Sequence, residues 1–322
     1  MAQVEKTVRF FDTVVVDDNN VRKAVEDDFW STLIDAIEKR ELADRSAQVY
    51  DVEYIGHAVK PKKPSLPHLQ IERIRDLNEM LNVSDVVSGD VEPLDLDDPN
   101  KRVSEPTFLV PLASHGRVAV MSPAVQPTRA ETLGRWLTAV LGLVPKGYSL
   151  ELIPVVDPEI LEKITGADGA VMLEVHVDPG VDVPSSGGGV VGDAFRSAQK
   201  QELEEARLVL RWSLGRSGGP QSVRAALRDA ALWVAQNGFS ANAKVKLASF
   251  DQDGRLVRDE VRAIFDDRVA RKVTFQTHAG ERTPDEVILN AIATAILEFR
   301  QGSYGKQGPA GVSGIASLSI TS

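Results

Sequence analysis

The run Arg207-Leu-Val-Leu-Arg-Trp-Ser-Leu214 alternates in side-chain character with a period of two, and the residues after it change to a period near 3.6. Read as a strand, it puts Leu208, Leu210, Trp212 and Leu214 on one face and Arg207, Val209 and Arg211 on the other. Gly215 to Pro220 make a turn, and the spacing predicts a helix from about Gln221 to Asn237 with Gly238 as its C-cap glycine. Downstream, Ala243 to Ser249 and Leu256 to Ile264 read as strands around Asp251-Gln-Asp253-Gly254, a hairpin turn with glycine where positive φ is needed. Val269 to Thr277 is a further strand. Thr283-Pro284-Asp285-Glu286 offers a capping box with Pro at the first helical position, and Val287, Ala291, Ala295 and Phe299 line one side of the helix it opens.

The same alternation extends upstream. Asp157-Pro158-Glu159 predicts an N-cap and N1 proline for a short helix ending near Gly166, between strands Ser149 to Val156 and Ala170 to Val177. A polar helix is expected from about Asp193 to Glu205. Thr128-Arg-Ala-Glu131 reads as a capping box before a helix with Leu133, Trp136, Leu137, Val140 and Leu141 on one face. Thr107 to Leu112 and Arg117 to Met121 read as strands around a Ser-His-Gly turn. Nearer the N-terminus, residues 6–16 predict a strand or strand pair and residues 47–56 a strand. Val21, Val25, Phe29, Leu33 and Ile37 predict one amphipathic helix from Val21 to Leu42, and Ser84 to Arg102 is acidic and irregular.

These elements predict mixed sheets with helices packed on one face, an α+β or mixed α/β fold in two domains. Composition divides the chain into an acidic N-terminal α+β region, 1–105, and a middle α/β region, 106–192, that ends in a Gly-rich linker. A basic C-terminal α/β region, 193–301, and a flexible tail, 302–322, follow.

The 322 residues are 43% hydrophobic and 26% charged, enough to bury a sizeable core, and include no cysteine. That excludes a disulfide framework, thiolate zinc sites, iron-sulfur clusters and a cysteine nucleophile, and it favours the cytoplasm. No apolar run approaches the roughly 20 residues of a membrane helix, and the start lacks a signal peptide's basic-then-apolar layout. The net charge of -10 is unevenly spread: 14 basic against 23 acidic residues in 1–105, 5 against 10 in 106–195, and 18 against 14 in 196–322. An acidic front and a basic back allow the first to repel DNA or to occupy the basic face until a hinge at the 179–192 linker opens, with ordinary surface variation as the competing reading.

Gly187-Gly-Gly189-Val-Val-Gly192 matches G-x-G-x-x-G, but the preceding strand ends about ten residues too early and no acidic residue follows about 20 residues on. Gly215-Arg-Ser217-Gly-Gly219 matches the nucleophile elbow of serine hydrolases, with Asp251 or Asp253 and then His278 in hydrolase order. Against it stand an arginine-bearing strand before the turn and no oxyanion loop, so a plain glycine turn competes with a Ser217 hydrolase. Asp251-x-Asp253-Gly254 begins like a calcium loop, but Leu256 and Arg262 stand where glycine and glutamate are needed. Asp95-Leu-Asp97-Asp98 lacks further ligands at a defined spacing, and the five histidines are scattered. No cofactor or metal is expected.

The positive signal is a basic sheet face. Regular pleating turns Arg207 and Arg211, Lys244 and Lys246, and Lys272 with Thr274, Gln276 and His278 away from the apolar faces of three strands. Arg255, Arg258, Arg268 and Arg271 add cations near the hairpin. Such a surface neutralises phosphates, and with no aromatic row between the cations it suits the backbone of double-stranded DNA better than stacked single strands. A solvated or helix-covered sheet face is the competing reading, and with it a non-DNA-binding interaction protein.

Three passages belong together: Glu105-Pro-Thr-Phe-Leu with Arg117-Val-Ala-Val and Pro127-Thr-Arg-Ala-Glu-Thr-Leu; Leu150-Glu-Leu-Ile-Pro154; and the strand, helix and Asp-Gly hairpin from Arg207 to Glu260. In this order they resemble the RexA-type phage exclusion family of abortive infection proteins. The resemblance covers about 60% of the chain at the level of pattern. It implies a non-enzymatic, cytoplasmic homodimer that binds double-stranded DNA without sequence preference, senses phage DNA and acts with a RexB-like membrane protein. It carries no functional residue over one by one.

Overall fold

Val and Phe dominate the N-terminal run, which forms one long strand on which the largest of three sheets is laid. The computed structural model describes residues 2–19, 21–60, 66–75, 82–84, 91–93, 96, 98, 101–113, 116–124, 127–177, 183, 187–199, 208–215, 218–237, 242–251, 253, 255–264, 269–277, 283–302, 312, 314–316, 318 and 320. In chain order the elements are β1 (Ala2–Asp17), β2 (Arg22–Val25), α1 (Phe29–Lys39), β3 (Ser46–Val49), β4 (Val52–Val59), β5 (His68–Ile74), β6 (Asn82–Ser84), β7 (Val91–Pro93), β8 (Ser104–Pro111), β9 (Arg117–Met121), α2 (Ala130–Val140) and β10 (Tyr148–Pro154). The chain continues with α3 (Pro158–Gly166), β11 (Gly169–Val177), α4 (Gly189–Gln199), β12 (Leu208–Ser213), α5 (Gln221–Asn237), β13 (Asn242–Phe250), β14 (Leu256–Ala263), β15 (Arg271–Thr277), α6 (Asp285–Gln301) and β16 (Ile315–Ala316). The fold is mixed α+β.

The large sheet has ten strands, in the order β16-β2-β1-β9-β8-β5-β4-β3, with β10 and β15 also paired to β1. Period-two alternation makes it apolar on both faces. Phe11, Val15, Leu69, Ile71, Leu109, Val118 and Val120 pack with α1 and α2 around Trp30 and Trp136. Phe10, Phe108, Val110, Ala119 and Met121 point the other way and pack with α6, where the rings of Phe10 and Phe299 stack at 4.1 Å. Helices therefore cover both faces of this sheet. Tyr50 and Asp51, with φ of 52° and 61°, make the two-residue turn that joins β3 to β4.

The chain leaves this sheet after β10 and builds a second, antiparallel one in the order β12-β11-β13-β14. Leu173, Val175, Val177, Val245 and Leu247 pack under α3, α4 and α5 with Phe195, Leu227 and Val234. Leu208, Leu210, Trp212 and Leu214 join the same core, as the alternation predicts. Among the described residues, the helices packed on this sheet lie on one face. Of the stretch 179–192, residues 189–192 open α4, and Val183 and Val191 share one core with Val177 of β11, so β11 and α4 belong to a single packed unit.

Several local expectations are corrected. The helix predicted from Val21 to Leu42 is a strand followed by a helix, because Ala24 pairs with Val14 and its N–H donates to the Gly314 carbonyl. Thr128 does not cap α2; its hydroxyl meets that of Thr107, and Arg129 is the N-cap residue. Pro284 occupies the N-cap position of α6, so that capping box does not form either. At α3 the cap is as predicted, with Asp157 accepting from the Glu159 N–H at 2.9 Å and Pro158 at N1. The polar helix begins earlier, at Gly189. Within the stretch expected to be a free tail, β16 pairs parallel to β2 and Leu318 and Ile320 pack on the large sheet's core.

Candidate nucleic-acid interface

On the helix-free face of the small sheet, the interleaved side chains of β11 are Glu174 and His176. Register sets Glu174 opposite Arg211 of β12 on one side and opposite Lys244 of β13 on the other. His176 stands opposite Val209 and Asn242, and Met172 opposite Ser213 and Lys246. Antiparallel pairing brings directly opposed side chains within about 5 Å at Cβ, so the row Arg211, Glu174, Lys244 is a direct consequence of strand order.

The contacts follow. The Arg211 guanidinium lies 3.5 Å from one Glu174 oxygen, and Lys244 Nζ lies 3.8 Å from the other. His176 Nε2 donates to that second oxygen at 3.0 Å. This hydrogen bond above all, with Lys244 and Arg211 beside it, holds the Glu174 carboxyl below its ordinary range against the opposing effect of burial. The cations stay wet: Arg211 is 61% and Lys244 46% exposed, whereas Glu174 is 16% exposed. Lys246 faces the same side and makes no ion pair with a described residue.

Of the predicted cations, the structure brings together Arg211, Lys244 and Lys246 on the strands either side of β11, with Arg255 exposed at the hairpin end and in no ion pair with a described residue. Arg258 stands opposite Ala248 in β14, with its side chain outside the described residues, as are Arg207 and Arg268 altogether. Arg271 and Lys272 do not belong to this face. Their strand β15 pairs with β1 in the large sheet, where Lys272 meets Glu5 at 3.0 Å and Arg271 meets Glu298 at 3.6 Å. Pleating alone could not choose between the two sheets, because Val273 and Phe275 suit either core.

The charge division also needs redrawing. Residues 156–264, which span the small sheet and its core, hold 13 basic against 16 acidic residues, and the acids from Asp157 to Glu174 lie on α3, β11 and the turns beside them, in that same unit. The cationic character is a property of one face and not of a domain.

Glu174 and His176 were missed by sequence reasoning. Their signal is the alternation within Ala170 to Val177, which sets them opposite Leu173, Val175 and Val177, but only the strand order makes them neighbours of Arg211 and Lys244.

The competing motifs find structural uses. In the G-x-S-x-G turn Gly215, Gly218 and Gly219 all have positive φ, Ser217 lies outside the described residues, and Asp251 accepts from the N–H groups of Asp253 and Arg255 to hold the hairpin. His278 is likewise outside. In the other glycine run, a Cβ at Gly187 or Gly188 would meet the Trp233 indole at 2.7 or 2.6 Å, and Arg196 donates to the Gly187 carbonyl. Asp95 and Asp97 lie outside the described residues, and among those described no acidic or histidine group is arranged to hold a metal ion. No helix among them is long and apolar enough to cross a membrane. No protein-family model matches the chain, and no curated protein matches it in sequence.

Proposed function

We propose that this protein binds double-stranded DNA through its phosphates, without sequence preference, on the helix-free face of the four-stranded sheet. One observation carries the reading: Arg211, Lys244 and Lys246 stand on that single uncovered face, on strands either side of β11. Exposed side chains of this kind contact phosphate oxygens and release condensed counterions, which favours association whatever the base sequence. No aromatic residue interleaves with these cations on the described strands of the face, so backbone contact is favoured over base stacking. On this reading the protein acts by binding and not by catalysis.

The wider role rests on the resemblance to RexA-type proteins. It is a cytoplasmic homodimer of a prophage exclusion system that senses phage DNA and signals to a RexB-like membrane protein.

A gel-shift series across salt tests the contact. Affinity should fall as salt rises, with a log–log slope of about -0.9 per phosphate contacted, and Lys244→Glu/Lys246→Glu should weaken binding equally for unrelated duplexes. Affinity that ignores salt would remove the phosphate reading. Selective labelling of wild type over Ser217→Ala by a fluorophosphonate would replace it with the hydrolase.

A further inference from the structure

We infer that Glu174 is a built-in competitor for phosphate, occupying the place between Arg211 and Lys244 that a DNA phosphate would take. The inference deepens the proposed phosphate contact and rests on it. Three donors from three adjacent strands converge on this one carboxylate: His176 at 3.0 Å from its own strand, Arg211 at 3.5 Å from β12 and Lys244 at 3.8 Å from β13. Fixed charge-assisted donors of the same kind bind a phosphate oxygen. Neighbouring Lys246, half-buried on the same face, has no acid of this kind among the described residues, so the cluster around Glu174 is the occupied anion position of the described face.

Glu174 belongs to the central part of the sheet and is mostly covered by its partners, while Arg211 and Lys244 lie largely in water. An approaching phosphodiester therefore meets the cations first and then a like charge that cannot leave. Two consequences follow. The cations are partly neutralised before DNA arrives, so fewer counterions are released than three cations would give. Binding is also weaker and more readily reversed than the cation content suggests, which suits a protein that must sample DNA without remaining on it.

Fluorescence anisotropy with a labelled 30-base-pair duplex of arbitrary sequence tests this on the full chain. Glu174→Gln, which keeps the shape and removes the charge, should bind roughly three- to tenfold tighter than wild type at about 0.1 M salt, with a salt slope steeper by about one. Glu174→Thr, suited to a strand and equally uncharged, must shift affinity in the same direction, which guards against a folding defect in one variant. Unchanged or weaker binding by both, alongside weakening by Lys244→Glu/Lys246→Glu, would overturn the competitor role and leave the phosphate face intact. Wild-type affinity indifferent to salt and to the lysine pair would overturn both.

Discussion

Two pairings of an acid with a cation sit at equivalent places in the two sheets, directly opposed across neighbouring antiparallel strands, and their surroundings are opposite. In the large sheet Asp12 of β1 faces Arg117 of β9, at 2.5 Å, with 4% and 2% of their side chains exposed. The α6 layer closes over them, and the guanidinium lies 5.8 Å from the Phe299 ring centroid. In the small sheet Glu174 faces Arg211 and Lys244 at longer range, on a face that no helix covers among the described residues. The same residue chemistry is thus a core component in one sheet and a surface available to ligands in the other. The difference lies in the second helical layer and not in the strands.

The sharpest way to break this contrast is to remove one partner of the buried pair. Asp12→Ala leaves the Arg117 charge in a dry core without its acid, and breaking a buried pair in this way costs about 3–5 kcal/mol. Urea unfolding should show a loss of that order, and Asp12→Leu/Arg117→Met should recover much of it. A loss below about 1 kcal/mol for Asp12→Ala would mean that water reaches the pair and that the large sheet is no better sealed than the small one.

Where helices do cover a sheet, the two regions should behave alike. A Cβ on Gly134 of α2 would stand 2.6 Å from the Leu150 carbonyl oxygen, and one on Gly169 of β11 would stand 2.5 Å from the Arg224 Cβ of α5. Both helices approach their strands so closely only because a glycine lies between. Gly134→Ala and Gly169→Ala should each destabilise by about 1–3 kcal/mol in the same unfolding assay. A neutral Gly169→Ala would show that α5 sits more loosely on its sheet than α2 does.

Much of the covered architecture was legible in the sequence, and the uncovered site was only half so. Strand alternation placed Leu208 to Leu214 correctly, and α5 spans Gln221–Asn237 as its periodicity predicts. Local signals failed where a tertiary partner outbid them. Val21 and Val25 fit a helical spacing, yet pairing with β1 draws that stretch into a strand. Thr128 could cap a helix but meets Thr107 instead. The basic face was anticipated through Arg211, Lys244 and Lys246, but Lys272 was assigned to it wrongly and Glu174 was not seen at all. Both failures have one cause: a period of two says which residues share a face, while only long-range pairing says which strands are neighbours.

Acid should act on the large sheet through its buried histidine. His68 is 2% exposed, with its Nδ1–H donating to the Leu66 carbonyl at 2.9 Å, and burial pushes its pKa below the ordinary value of 6.5. The unfolded chain therefore takes up the proton first as pH falls, so stability present above about pH 6.5 is lost on acidification. His57, depressed mainly by burial and then by Arg45, adds to the loss in the same direction. Melting temperatures at about pH 7.5 and about pH 5.5 should differ less for His68→Gln than for wild type, and an equal difference would place the acid sensitivity elsewhere.

The smallest stability effect should come from the site with the largest functional one. Glu174→Gln removes the acid from a cluster whose cations are already wet, so Arg211 and Lys244 regain hydration when it goes. Pairs of this kind contribute at most about 1 kcal/mol, and the urea midpoint should move by no more than that, several times less than for Asp12→Ala. A loss as large as Asp12→Ala would make Glu174 a structural clamp and its cations its dependants, and the two sheets would then use their paired charges in the same way. A small loss, coupled to tighter DNA binding, would separate what the strands share from what the missing helical layer permits.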